Sequence, residues 1–340
     1  MAEERTHRIR AGGAVVACAL LLSLITAFNQ VKAQGLSWQE EHYQARLEAV
    51  VAGEAPSPFQ YRILSDSLTV AVYRLFERVG MPRPVGVAFV SIRVTQNLLL
   101  FLLAIAYYRR LGLSIYLGIL GISALAWGMM QGNLESDLAI DTYTDLILYL
   151  WAGLTIVTGR VLWIVPITVL GTLNRETSGL VPVLLVAAYL PPHAADSRRP
   201  ALGPGRVLSI AAVSLAAYGL IFAGLRLYFG PREWVVHPTG AAPGLGMLWH
   251  NLSDAGTWVN LVGTLGLIPL LAVVSWRAWR WPLGAFFWAM VPAWLLIHLC
   301  FGPLAETRLV LVPLAMAFIP GALCGLMYFR GSENRALEAA

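Results

Sequence analysis

Charged side chains are costly at membrane depth, and those found there usually face a cavity or a partner. In a chain as apolar as this one, a charge set into or beside an apolar run is therefore a candidate for chemistry. Three elements place an arginine in such a setting. Arg62 follows Ser57-Pro58-Phe59-Gln60-Tyr61 at the start of an amphipathic stretch, Arg175 lies in Asn174-Arg175-Glu176-Thr177 between two short apolar runs, and Arg308 ends Glu306-Thr307-Arg308 after Gly302 and Pro303. A guanidinium offers a planar fork of donors that fits a phosphate, and such charge-assisted bonds are stronger than neutral ones. Arg62, Arg175 and Arg308 are thus candidate ligands for the phosphate of a lipid-linked donor, supported by Tyr61, Asn174 and Glu306. Each element has a plainer alternative. Arg62 can snorkel to lipid headgroups, Arg175 and Glu176 can form a structural ion pair that pins a turn, and Glu306 suits a first helical turn on its own account.

The carboxylates form a second set. Glu40 and Glu41 stand beside His42, Glu176 beside Arg175, and Glu135, Asp137, Asp141 and Asp145 follow the third apolar run. A carboxylate near a bound acceptor can serve as general base, which makes Glu40, Glu41 and Glu176 candidates for catalysis, with His42 in support. Asp137, Asp141 and Asp145 share one face if their segment is helical, and could converge on a divalent cation; whether a cation is needed stays open. Acid-rich outer loops also follow from topology alone. Arg93, Gln96 and Asn97 form a polar stripe that should face the interior of a helix bundle.

Composition sets the frame for these residues. Hydrophobic residues make up 58% of the 340 and charged ones only 13%, where a soluble domain carries about a quarter. A soluble fold is excluded. The formal charge of +5 comes from arginines scattered between apolar runs, not from one basic face, so no nucleic-acid partner is expected. Cys18, Cys300 and Cys324 lie inside apolar stretches without metal-ligand or paired spacing and read as packing residues.

Apolar runs lie near 14–28, 86–107, 113–131, 143–159, 161–173, 178–191, 207–228, 257–275, 282–301 and 308–328. At roughly 20 residues per crossing, they predict an all-α integral membrane protein with about ten transmembrane helices, a single polytopic domain over 1–340. The intervening arginines, Arg109, Arg110, Arg160, Arg198, Arg199, Arg206, Arg277, Arg280, Arg330 and Arg335, all then fall on the side that holds both termini. The positive-inside rule makes that side cytoplasmic. Most acids fall outside. Lys32 is the sole lysine, a bias typical of GC-rich bacterial genomes, and the expected location is a bacterial inner membrane.

Two outer segments are long. In the first, 30–85, apolar residues recur at helical spacing over 61–79 between charged ones, which predicts a helix lying in the interface among membrane lipids. A shorter one is expected over Trp38 to Val50. The second, 229–256, is rich in Gly and Pro and reads as an irregular loop. Two short helices over 161–191 should meet near the outer surface at Asn174 and leave a cavity open to that side.

A first span, a long acidic outer loop with interfacial helices, and short spans around an outer cavity together resemble the glycosyltransferase C superfamily. The Pro58–Leu64, Asn174–Thr177 and Glu306–Arg308 elements are similar to bacterial membrane proteins placed near it. The resemblance implies a membrane enzyme that takes a sugar from a polyprenyl-phosphate carrier at the periplasmic face, with inversion. It further implies an acidic catalytic base in the first outer loop, for which Glu40 and Glu41 are the nearest positions. Two other functions fit the same chain. A carrier or flippase for a lipid-linked or anionic solute would need polar residues toward the inner face as well, and a non-catalytic subunit of an envelope assembly machine would tolerate loss of the outer carboxylates.

Overall fold

The computed structural model describes residues 2–132, 140–190, 199–234 and 240–338; the side chains of 2–11, Gln34, 36–39, His42 and 330–338 lie outside that description. Among the described residues the fold is all helical, with one isolated bridge between Ser57 and Trp234. Helix α1 (Ala2–Gln34) leads to α2 (Leu36–Ala52) and α3 (Ile63–Arg78), then α4 (Pro84–Arg110), α5 (Ile115–Gln131) and α6 (Ile140–Val157). After a 3₁₀ turn come α7 (Ile164–Thr172), α8 (Leu180–Tyr189) and α9 (Pro204–Phe229). Helices α10 (Leu245–Ser253), α11 (Ala255–Leu265), α12 (Ile268–Val274) and α13 (Leu283–Phe301) precede the last apolar segment, Thr307–Phe329.

Among the described residues, six segments are long and apolar enough to cross a bilayer: Gly12–Ala33, α4, α6, α9, α13 and Thr307–Phe329. The pair α11 and α12 makes a seventh if counted as one bent span, and α5, Val161–Thr172 and Glu176–Tyr189 are shorter apolar helices. The chain is thus an all-α protein of membrane type.

The two most enclosed segments are α6, with 78% of its apolar window buried, and Thr307–Phe329, with 89%, whereas the windows of α1, α9 and α13 are mostly uncovered. The first pair forms the centre of the bundle, and both carry residues of the site. Thr307–Phe329 mixes 3₁₀, α and π turns around Pro313 and Pro320. A proline has no N–H for the carbonyl four residues before it, and an unmet carbonyl in hydrocarbon costs several kcal/mol. Trp294 Nε1 donates to Leu309 O at 2.6 Å, four residues before Pro313. Tyr107 donates to Met316 O at 3.0 Å, four residues before Pro320, and Tyr108 to Ala315 O at 3.0 Å. Side chains of α4 and α13 thereby repair the ladder of the central helix.

Loops gather at two ends. At one, Arg280 donates to Leu111 O and Gly112 O at 2.9 and 2.7 Å, Trp281 to Ala188 O at 2.9 Å, and Gly159 abuts Pro200. At the other, Ser57 N bonds Glu233 O at 2.8 Å, Leu64 N bonds Leu173 O at 2.9 Å, and Gly244 N bonds Cys300 O at 2.7 Å. The arginine-rich loops share the first end, and α2 and α3 cover the second.

The amphipathic stretch expected over 61–79 is α3, and the shorter one over 38–50 is α2. Two expectations need correction. Residues 257–275 are not one helix, because α11 and α12 meet at a 70° bend. Gly266 there adopts φ +53, and Pro269 opens α12 without an N–H to continue the ladder of α11. The second outer segment is not wholly irregular either, since Leu245–Ser253 is helical once the Gly and Pro cluster is passed. The polar stripe of α4 does face inward. Arg93 lies over the Tyr143 ring at 3.8 Å, Gln96 donates to Ile140 O and Thr144 Oγ1 at 3.0 and 2.8 Å, and Asn97 donates to Gln30 Oε1 at 3.3 Å.

Candidate functional site

Five elements deliver charged groups to one place beneath α2 and α3. The first is the turn before α3. Tyr61 is buried and donates to Gly230 O at 2.8 Å, while its ring lies 4.6 Å from the Arg226 guanidinium. This anchors the next residue, Arg62, which donates from Nη1 to Asp141 Oδ2 at 2.9 Å and from Nη2 to Glu176 Oε2 at 3.2 Å. Burial disfavours charge on Arg62, but Glu176 and Asp141 outweigh it and hold its pKa above the usual value.

Asp141 belongs to the first turn of α6, where a carboxylate also meets the positive end of the helix dipole. Only 1% of its side chain is exposed, and its Oδ2 takes a second cation, Arg175 Nε at 3.8 Å. Arg175 sits in the break between α7 and α8 in extended conformation, after Asn174 has left the helix. Asn174 fixes that break. Its Nδ2 donates to Asp141 O at 2.8 Å and its Oδ1 accepts from Ser65. Arg175 Nη1 reaches Thr142 Oγ1 at 3.4 Å, and the same hydroxyl receives Arg308 Nη1 at 3.1 Å from the start of the last span. Arg308 also donates through Nε and Nη2 to Glu306 Oε2 at 3.2 and 2.6 Å. The fifth contributor is Arg226 near the end of α9, 3.7 Å from Glu176 Oε1.

The three arginines singled out in sequence therefore meet through shared partners. Arg62 and Arg175 share Asp141, Arg175 and Arg308 share Thr142, and Arg62 and Arg226 share Glu176. Asp145, one helical turn beyond Asp141, is fully buried and accepts from Thr177 Oγ1 at 3.1 Å. Beside the cluster, Arg46 of α2 pairs with Asp66 of α3 at 3.4 Å and stacks over Phe59 at 4.2 Å. Burial raises the Asp66 pKa in spite of Arg46.

Among the described residues, four guanidiniums (Arg62, Arg175, Arg226, Arg308) face four carboxylates (Asp141, Asp145, Glu176, Glu306). The members differ in access. Asp141 is 1% exposed and Arg175 7%, whereas Glu176 is 29% and Glu306 21%. The buried members hold the cluster together and the outer ones can exchange partners with an incoming anion. No protein-family model, curated protein or solved structure matches the chain.

The remaining sequence candidates lie elsewhere. Glu40 sits against Gly86, where an added Cβ would meet Glu40 Oε1 at 2.5 Å, and its other oxygen is 4.0 Å from Arg83 Nε. Glu41 is exposed on α2, and neither glutamate bonds to the arginine cluster. The His42 side chain and Asp137 lie outside the described residues. Asp141 and Asp145 are engaged by arginine and threonine, and among the described residues, which do not include Asp137, no group of three or more His, Cys, Asp or Glu could hold a metal ion. A cavity of about 160 Å³ between α2 and α3, lined by Leu47, Val51, Val70 and Arg74, takes in no member of the cluster.

Sequence inspection did not foresee Thr142, Ser65 or Arg226 as members. Arg226 had a signal, being a charge near the end of an otherwise apolar helix. The hydroxyls had none, because Ser and Thr are common in apolar helices.

Proposed function

We propose that this chain is a membrane glycosyltransferase that transfers a sugar from a polyprenyl-phosphate carrier at the periplasmic face. The observation that carries the reading is the meeting of Arg62, Arg175 and Arg308 around Asp141 and Thr142, under interfacial helices at the end of the bundle opposite the arginine-rich loops. Fixed donors aimed at a developing phosphate charge are an effective way to stabilise a leaving group. The donor phosphate would displace Glu176 and Glu306, the more exposed carboxylates, from Arg62, Arg226 and Arg308, while Asp141 keeps the buried guanidiniums in place. The displaced carboxylates then face the sugar.

The two groups of loops support a topology of ten spans with α5, α7 and α8 as short crossings and α11 with α12 as one bent crossing. Both termini would be cytoplasmic and the location a bacterial inner membrane. A transfer assay tests the function. The protein, purified into nanodiscs, is expected to transfer sugar from at least one member of a panel of polyprenyl-phosphate hexoses and pentoses, and the Arg62, Arg175 and Arg308 alanine variants to lose at least tenfold in rate. Absence of transfer from every donor, together with wild-type behaviour of the three variants in lipid-phosphate binding, would refute it.

A further inference from the structure

Helices α2 and α3 cover the arginine cluster and also enclose a second space away from it. That cavity, of about 160 Å³, has Leu47, Val70 and Val85 in its lining. Val85, at the start of α4, belongs to a buried apolar group with Tyr43 and Phe89, and Tyr73 packs against the same group. Core packing therefore fixes this side of the cavity. A whole drug-sized ligand needs about 300–1,000 Å³, so the space takes only one part of a larger molecule. Val51 also lines it and is exposed, as are Leu68, Leu75 and Val79 on α3. Helices that are amphipathic and apolar on the exposed side rest on lipid, and Val51 joins that surface to the cavity.

Two opposite charges line the same space from the two helices. Arg74 of α3 is exposed and, among the described residues, enters no ion pair or hydrogen bond. Glu48 of α2 accepts from Gln44 Nε2 at 3.0 Å and likewise enters no ion pair among the described residues. Arg74 and Glu48 thus border one cavity without pairing with each other. Tyr73 gives its proton to Glu77 Oε1 at 2.9 Å, which leaves its oxygen able to accept. A ligand that carries an anion and an N–H cation, joined to an apolar tail, meets each of these groups with its complement.

We propose that this cavity binds a phospholipid with a primary-amine headgroup, its phosphate on Arg74, its ammonium on Glu48, and the start of its acyl chains on Leu47, Val70 and Val85. A guanidinium and a phosphate make strong charge-assisted bonds, and a primary ammonium has three N–H groups to share between Glu48 and Tyr73. A trimethylammonium headgroup has none. A glycerol headgroup brings no cation and leaves Glu48 facing an anion. The bound lipid also acts on the roof of the cluster, because Leu47 follows Arg46 directly and Val70 lies one turn beyond Asp66, and Arg46 and Asp66 pair at 3.4 Å. Occupation does not depend on the chemistry at Arg62, so the site stands whether or not the chain transfers sugar.

Native mass spectrometry of the full chain tests the site, with the protein released from nanodiscs holding equal parts of phosphatidylethanolamine, phosphatidylglycerol and phosphatidylcholine. The wild type is expected to retain phosphatidylethanolamine at least fivefold over either of the others. Arg74→Gln, at an exposed position that does not endanger folding, should lower that retention about tenfold, the loss of one charge-assisted contact. Val70→Phe fills the cavity and should lower it as far. Glu48→Gln should bring phosphatidylethanolamine and phosphatidylglycerol within twofold of each other. Equal retention of the three lipids by the wild type, a preference for phosphatidylglycerol, or undiminished retention in Arg74→Gln overturns the proposal. So does displacement of the lipid by soluble phosphoethanolamine at the same concentration, since the acyl chains would then contribute nothing.

Discussion

Replacing Asp141 by Asn tests whether the cluster is an electrostatic unit. The change keeps the shape and the backbone carbonyl that Asn174 uses, and removes the one carboxylate that Arg62 and Arg175 share. Opposite charges about 4 Å apart interact by about 4 kcal/mol at the effective dielectric of protein sites, and removing one member of a buried pair costs about 3–5 kcal/mol because the other stays buried. With Arg62 at 2.9 Å and Arg175 at 3.8 Å, a loss of about 4 kcal/mol is expected. For a chain of this size that is about 8 °C in thermal midpoint, at ~2 °C per kcal/mol. The assay is thermal unfolding in nanodiscs for Asp141→Asn, Arg62→Gln and the double variant. Coupling of about 2 kcal/mol or more is expected between them, and additivity within ~0.5 kcal/mol would refute the shared-carboxylate account.

Other outcomes follow from the same geometry. Arg308→Lys replaces a planar fork that holds Glu306 and Thr142 together with a single ammonium, and should lower the rate of transfer about tenfold with little change in thermal midpoint. Gly132→Ala would put a Cβ 3.0 Å from the backbone N of Arg308, which cannot yield as a side chain can; a cost of about 1–3 kcal/mol and reduced donor binding are expected by thermal shift and binding assay. Asn251→Ala removes two bonds given to Leu299 O and Gly302 O and one received from Leu304 N, a loss of about 3 kcal/mol in thermal unfolding. Asp254 caps α11 and is held below the usual carboxylate range by the Thr257 hydroxyl and amide. A depressed acid stabilises the folded state above its unfolded pKa of about 3.9 and loses that contribution as pH falls through the folded value. Protection of the 255–258 amides against hydrogen exchange, taken relative to their intrinsic rates at each pH, should therefore fall below about pH 4, and Asp254→Asn should flatten the dependence.

The arginines, Asn174, Glu176 and Glu306 were legible in sequence because a charge beside apolar residues is conspicuous and needs a partner. Who partners whom was not. Asp141 looked like one of three acids on a helix face, whereas its partners are Arg62 and Arg175, 79 and 34 residues distant in the chain. Glu40 and Glu41 drew attention by following the first span, but nearness along the chain says little about which helix a loop covers. The boundaries of α2, α3 and α4 followed apolar periodicity closely. The bend at Gly266 did not, since hydropathy averages over the missing N–H of Pro269.

The repair of the central helix by its neighbours bears on how the protein is made. Arg62, Asp141 and Arg175 all emerge from the ribosome before Trp294, which satisfies Leu309 O, and before Arg308, which completes the cluster. A nascent chain that stops short of the last span leaves Thr142 without Arg308 and Tyr107 and Tyr108 without the carbonyls they serve. The centre of the bundle is thus completed only when Thr307–Phe329 joins α6, and the earlier helices must wait in the membrane with a lined but empty slot. Truncations within the final span should be recognised and degraded by membrane proteases, while changes on the lipid-facing side of α9 pass unnoticed.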